Sequence, residues 1–337
     1  MALSPSASAQ SPARVSVDTV FSIDEFGGDT TTNRPNIIAD ISVTARLSDR
    51  WQVYVRPWFR QPRTPSWDKY IYQAALRYER PGPIMMRVDA GYIASPVGLG
   101  MFDTRANLNP TINGHANYFV PMPAIDAGAP RVQAVAATYP LGGVVTLSTD
   151  RWDARAAVVN SAPTRIFLIN DDANPRTTPV FEAGAGVTPR TGLRLGVSFA
   201  RGLAATADET TGPAIDRTLT LVGVEGEYAF GYTKLSGEFI ADRFATSSGT
   251  ATAYAWFAQG THTITPRWFV AARHEGTSAP PYLARARTDF ETLEATAGFR
   301  ATTDITLRGS YYRRRLYGLS TWDNQGGVSI VWAHRWW

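Results

Sequence analysis

The chain has 337 residues, of which 44% are hydrophobic, 12% aromatic and 18% charged, with no cysteine and a net charge of +4. Lack of cysteine excludes a disulfide framework and a thiolate metal site, and so small a charge, with no basic tail, argues against nucleic acid as a partner. No apolar run reaches the about eighteen residues of a membrane helix, so a membrane form of this chain must be a closed sheet, the other way to satisfy every backbone group in lipid.

Residues 1–10, MALSPSASAQ, close on Ala7-Ser8-Ala9 ahead of Gln10. That is the small-x-small pattern of a secretory cleavage site, and this stretch is expected to be a signal remnant or a disordered start. From Ala13 the sequence alternates with period two. Val15, Val17, Thr19, Phe21 and Ile23 share one face, with Arg14, Ser16, Asp18 and Ser22 on the other. After a Gly/Asp/Thr-rich loop and a strand near residues 36–47, a tight turn at 47–50 leads into a third strand. There Trp51, Val53, Val55 and Phe59 oppose Gln52, Tyr54, Arg56 and Arg60. Next, Tyr70, Tyr72, Ala74, Leu76 and Tyr78 oppose Gln73, Arg77 and Glu79. Beyond Pro81-Gly82-Pro83, Met86, Val88, Ala90 and Tyr92 alternate with Arg87 and Asp89.

The stretch from Gly91 to Arg131 breaks the pattern. It is rich in Pro and Gly, has no sustained period, and carries Met101, Phe102, Ile112, Tyr118, Phe119, Val120, Met122 and Ile125. Long irregular connections are functional or disordered, and this apolar content favours packing. The loop, about 94–130, is expected to fold into the space that the strands enclose.

Alternation resumes at Arg131, with residues 131–149 read as one bent strand or, at Pro140-Leu141-Gly142-Gly143, as a hairpin. Clear cases follow, such as Leu193, Leu195, Val197 and Phe199 against Arg194, Gly196, Ser198 and Ala200. The parity of residues 218–230 changes, and a bulge near Val222 would account for it. Turns such as 47–50, 188–192, 263–267 and 302–304 are short, whereas the connections at 25–35, 161–179, 203–216, 277–288 and 316–325 are long. Short turns at one end and long loops at the other mark an outer-membrane barrel, whose strand number in single-chain bacterial examples is even. The expected fold is therefore all-β: a transmembrane antiparallel β-barrel of about 16 strands, one domain over 11–337, with an inward-folded constriction loop.

One face would meet lipid. Trp51, Trp152, Trp268, Trp332, Trp336 and Trp337 lie beside turns or the C-terminus, where interfacial rings gather. The other face is charged with both signs: Arg155, Arg194 and Arg308, and Asp153, Glu182, Glu238, Asp242 and Glu294. Sixteen strands leave an aqueous channel, where such groups stay hydrated. Arg56, Arg77 and Arg87, on consecutive strands, would form a row that biases passage toward anions; the alternative is a stiffening ion network with Glu79 and Asp89. Asp103, Arg105, His115 and Asp126 would face the eyelet, and Asp89 and Arg131, at the two ends of the loop, are expected to line the pore with them. Of 33 basic residues only Lys69 and Lys234 are lysine, so any selectivity rests on guanidinium groups, which stay ionised.

Two segments carry a resemblance. Gly91-Tyr-Ile-Ala-Ser-Pro96-Val-Gly98-Leu99, following a strand, is similar to the passage from strand into loop of phosphate-selective and related sixteen-stranded porins. Val328-Ser-Ile-Val-Trp-Ala-His-Arg-Trp-Trp337 resembles the C-terminal aromatic insertion signal of outer-membrane barrels. The resemblance implies a homotrimer in a bacterial outer membrane, bounded by lipid and lipopolysaccharide, taking up small hydrophilic solutes or anions by passive diffusion. The Lys-rich ladder of phosphate-selective members is missing here. Two rivals are an outer-membrane hydrolase and a non-conducting structural barrel. His115, His262, His274 and His334 are the only histidines; His274-Glu275 could pair as base and orienting carboxylate, but no G-x-S-x-G elbow accompanies them. Asp171-Asp172-Ala173-Asn174 offers hard oxygens for Ca²⁺ without the remaining ligands. No enzyme activity, cofactor or metal is expected.

Overall fold

The structure is a computed structural model that describes residues 14–29, 35–61, 66–99, 104–116, 121–122, 132–133, 139–160, 179–205, 217–246, 249–279, 289–315 and 321–336. The described strands are β1 Val15–Gly28, β2 Asn36–Arg46, β3 Trp51–Gln61, β4 Asp68–Arg80, β5 Met85–Tyr92, β6 Pro121–Met122, β7 Val132–Gln133, β8 Leu141–Ser148 and β9 Trp152–Val159. They continue with β10 Val180–Arg190, β11 Leu193–Ala205, β12 Arg217–Phe230, β13 Thr233–Thr246, β14 Gly249–Thr263, β15 Trp268–Ser278, β16 Phe290–Arg300, β17 Ile305–Arg315 and β18 Asp323–Trp336. All except β6 and β7, which pair with each other, form one closed antiparallel barrel, in which β5 bonds to β8 and β1 bonds to β18. Closure removes both sheet edges. The expected sixteen strands are present.

Parity sorts the residues as a membrane barrel requires. Along β11, Leu195, Val197 and Phe199 are exposed on the outer face, while Ser198 and Ala200 are buried inside. Outward rings gather at the short-turn end: Trp51 against Tyr78 at 4.9 Å, Trp268 against Phe299 at 4.7 Å, and Trp332, His334 and Trp336 in one cluster. An apolar band flanked by aromatic girdles is the outer surface of a transmembrane barrel.

Three readings need correction. Residues 131–149 are not one strand, and Pro140–Gly143 is no hairpin: the spanning strand is β8, Leu141–Ser148, because Pro140 cannot donate to the ladder. The connection leaving β5 therefore runs on to Pro140, beyond the expected end at 130. No bulge occurs at Val222, since β12 pairs with β13 without interruption. Instead Leu219 and Leu221 point inward, fully buried, and Val222 and Val224 point outward. An actual irregularity sits in β3–β4: Arg56 pairs with Gln73 but Pro57 pairs with Ile71, leaving Tyr72 as the extra residue. It turns Tyr72 to the inside, stacked on Tyr139 at 4.5 Å and on Trp58 at 4.9 Å.

The core is consequently inside the barrel, with its larger part on one side and a smaller cluster of Phe26, Ile112 and Tyr312 at β1, the loop and β17. Val144, Ala157, Val159, Val180, Ala200, Leu219, Leu221, Ile240 and Phe244 form an apolar patch on the inner wall, with Ile93 and Val97 packed into it.

Candidate functional site

The interior is organised by the segment that follows β5. Gly91, at φ +132°, makes the departure; a Cβ there would lie 2.3 Å from the Ala74 carbonyl oxygen, so only glycine leaves β5 by this path. Ile93 and Val97 then bury on the apolar wall. Polar anchors follow in order around the ring. The Ser95 hydroxyl donates to Glu182 on β10 at 3.0 Å, the Gly98 amide donates to Ser198 on β11 at 3.2 Å, and the Leu99 amide donates to Glu238 on β13. Thr104 next meets Arg56 on β3, half way round the ring from β13. Leu99 and Thr104 thus contact opposite walls.

The tip is held by three charged side chains from β15–β17. Arg308 donates to the carbonyls of Ala106, Asn109 and Thr111 at 3.1, 2.9 and 2.6 Å, and to Ser329 at 2.8 Å. Arg273 donates to the Asn113 and Gly114 carbonyls at 2.7 and 3.1 Å. Glu294 accepts the amides of Ile112 and Asn113 at 2.9 and 3.3 Å. Irregular backbone cannot be buried with its polar groups unmet, and these wall charges meet them. Sequence reasoning put Arg308 and Glu294 on the inner face but gave them no task, and it missed Arg273. Their signal was weak: an inward charge is identifiable by parity, its partner across the lumen is not.

The arginines read as a row form two separate groups. Arg56 is buried and forks onto Asp40 on β2, at 2.9 and 2.6 Å from Nε and Nη2. Tyr72 and Tyr139 lie against it, with its carbon 5.6 and 5.8 Å from their ring centres. Arg77 and Arg87 share Asp89, at 2.6 and 3.2 Å. Arg87 keeps 37% of its side chain exposed and Arg77 25%, so these two, not Arg56, remain open to the lumen. Arg105 is half-buried, 3.5 Å from Asp40, and reaches the backbone oxygens of Asp18 and Asp40. His115 is buried, 3.4 Å from Glu275 and 4.4 Å from the Phe257 ring centre, so it faces the wall and not an eyelet. Asp103, Asp126 and Arg131 lie outside the described residues.

A second network covers β9–β12. Arg194 bridges Asp153 at 2.9 Å and Glu225 at 2.7 Å, and Arg155 reaches Glu225 at 2.9 Å. Arg155 lies on β9 and Glu225 on β12, so its side chain crosses β10 and β11. Gly184, Gly186 and Gly196 keep that floor bare: a Cβ on them would lie 2.5 Å from Arg155 Nε, 2.5 Å from Arg194 Nη2 and 2.7 Å from Glu225 Oε1.

His274 and Glu275 are no pair. Adjacent in β15, they face opposite sides of the wall: His274 lies outside, edge-on to Trp256 and 2.9 Å from Glu291, while Glu275 is buried inside. Among the described residues no group of three His, Asp or Glu side chains suits a metal ion; Asp171–Asn174 lie outside them.

No protein-family model and no curated relative matches the sequence. Solved structures do. OmpT as expressed in the outer membrane of Vibrio cholerae shares 11% identity at a TM-score of 0.59, over 96% of this chain and 99% of that one. OmpF of Salmonella typhi, in complex with daunomycin, shares 10% at 0.64, over 95% and 97%. An anion-selective porin from Comamonas acidovorans shares 10% at 0.58, over 95% and 99%. The fold is that of the outer-membrane porins. At such identities the likeness extends to the fold and no further, and what passes or binds must be argued from this chain's own residues.

Proposed function

We propose that the protein is a porin of a Gram-negative outer membrane, a water-filled channel for passive diffusion of small hydrophilic solutes and ions. One observation supports the reading: an apolar exterior encloses an interior carrying ionised side chains, several of which hold the backbone of residues 93–99 and 104–116 by hydrogen bonds. A barrel built only as a scaffold has no need to keep Arg77, Arg87 and Arg194 partly hydrated inside. The segment acts as a constriction, and the guanidinium groups of Arg77 and Arg87 line what remains open beside it, giving a preference for anions. Kinship with phosphate-selective porins is the finer part of the proposal and is supported by Gly91–Leu99 alone.

A homotrimer belongs to the same reading. Gly309 and Gly326 leave the outer face of β17 and β18 in low relief, as a flat subunit contact needs, and the fold is shared with a trimer form of Vibrio cholerae OmpT. Lipid and lipopolysaccharide would surround the remaining outer face. The test is single-channel recording in a planar bilayer. Stepwise conductance is expected, with a reversal potential under a KCl gradient on the anion side; purified, folded protein that gives no steps would refute the channel.

A further inference from the structure

Beneath the loop tip, on the short-turn side, lies a cavity of about 470 Å³ between Ala106–Pro110 and the inner wall of β12–β18. We propose that it binds small hydroxylated organic anions, with Arg300 taking the negative charge. The proposal deepens the channel reading and rests on it for the current measurements, not for the binding measurement.

The sign of the site comes from its lining. Lys234, Arg300 and Arg308 border the cavity, and among the described residues no Asp or Glu does. Two of the three cations are already engaged. Lys234 is paired with Glu227 at 2.6 Å, and Arg308 is committed to the loop carbonyls and Ser329. Arg300 donates to the Pro266 carbonyl at 3.1 Å and lies 4.9 Å from the Phe269 ring centre, contacts that orient the guanidinium without neutralising it. The ring is itself seated: Phe269 lies across Gly298, where a Cβ would be 2.0 Å from it. Glycine, ring and guanidinium are therefore stacked from the wall inward, and the charge is presented in a fixed place.

The remaining lining sets the body of the ligand. Tyr232, Thr261, Thr263 and Thr306 supply hydroxyls and Asn107 an amide. Groups of this kind exchange hydrogen bonds with a polyol, either donating or accepting. The volume is of small-molecule size, well above what a bare inorganic anion fills. A carboxylate on a hydroxylated chain of sugar-acid size satisfies both charge and lining.

Gluconate is the probe and glucitol its neutral counterpart. Calorimetric titration of the detergent-folded protein should show gluconate binding at least tenfold tighter than glucitol. Arg300→Gln should weaken gluconate about tenfold or more, by removing a charge-assisted hydrogen bond, and leave glucitol unchanged. Gly298→Ala, which keeps every charge but displaces the ring, should weaken gluconate several-fold. In bilayers, gluconate should reduce the KCl current of the native protein and spare that of Arg300→Gln. Equal affinities for the two probes, or an Arg300→Gln protein that binds gluconate as the native one does, would overturn the site. A silent bilayer would sink the channel reading, with calorimetry still deciding this one.

Discussion

Replacing Arg308 by Met should undock the loop tip without opening the barrel. The side chain is almost completely buried and gives hydrogen bonds to three loop carbonyls and to Ser329. Methionine has similar length and no donors, so the carbonyls of Ala106, Asn109 and Thr111 lose their partner while docked and regain water when released. Breaking a buried charged contact on one side costs about 3–5 kcal/mol; water admitted on release favours the lower figure. About 3 kcal/mol corresponds to a rise on the order of 100-fold in the undocked fraction. The absence of native cysteine makes this measurable. Ala116→Cys places one thiol at a buried loop position, and its reaction with a membrane-impermeant maleimide tracks the open fraction when reclosing outpaces labelling. The rate in the double variant should exceed that of Ala116→Cys alone by on the order of 100-fold, with the urea midpoint of the whole barrel little changed. Rates within about threefold of each other, below 1 kcal/mol, would refute the assignment of Arg308 as the main anchor.

Three further outcomes are expected. Gly91→Ala should destabilise the folded protein by about 1–3 kcal/mol, the cost of a strained non-glycine backbone, measured by urea unfolding in lipid vesicles; a change below about 0.5 kcal/mol, ordinary for a surface site, would mean that the positive φ is not required. Val197→Arg, on the exposed outer face of β11, should cost about 2–4 kcal/mol in the same assay if that face meets the bilayer midplane, and nothing comparable if it faces water. Asp89→Asn removes the carboxylate shared by Arg77 and Arg87. One uncompensated charge about 10 Å from the permeation path is worth roughly 0.4 kcal/mol in water, so anion permeability should rise about twofold, read as a shift in reversal potential; a shift toward cations would contradict the lumen placement of these arginines.

Period-two alternation was enough to find the barrel, because lipid outside and water inside impose opposite chemistry on successive residues. It failed where the inner wall is not wet. Leu219 and Leu221 mimic a change of register because apolar side chains on a barrel strand ordinarily face lipid, whereas these two belong to the inner patch that receives Ile93 and Val97. Tyr72 misleads for the reverse reason, a real bulge inside a run of uninterrupted alternation. Charge was legible as to face but not as to partner. Arg77 and Arg87 meet Asp89 within a local meander that adjacency suggests, while Arg308 and Glu294 meet backbone some 180–200 residues earlier in the chain. His274-Glu275 shows the limit of neighbour reasoning in a strand, where consecutive side chains point to opposite faces.

The tip segment also strides over the join between the two ends of the chain. Arg105 grips the carbonyl oxygens of Asp18 on β1 and Asp40 on β2, while Arg308 on β17 takes the tip's own carbonyls and, with its other amine, Ser329 on β18. The hoop is thus buckled from within, at the one place where it was open before folding. The seam is therefore braced twice, by the β1–β18 ladder in the wall and by the tip lying across it from the lumen side.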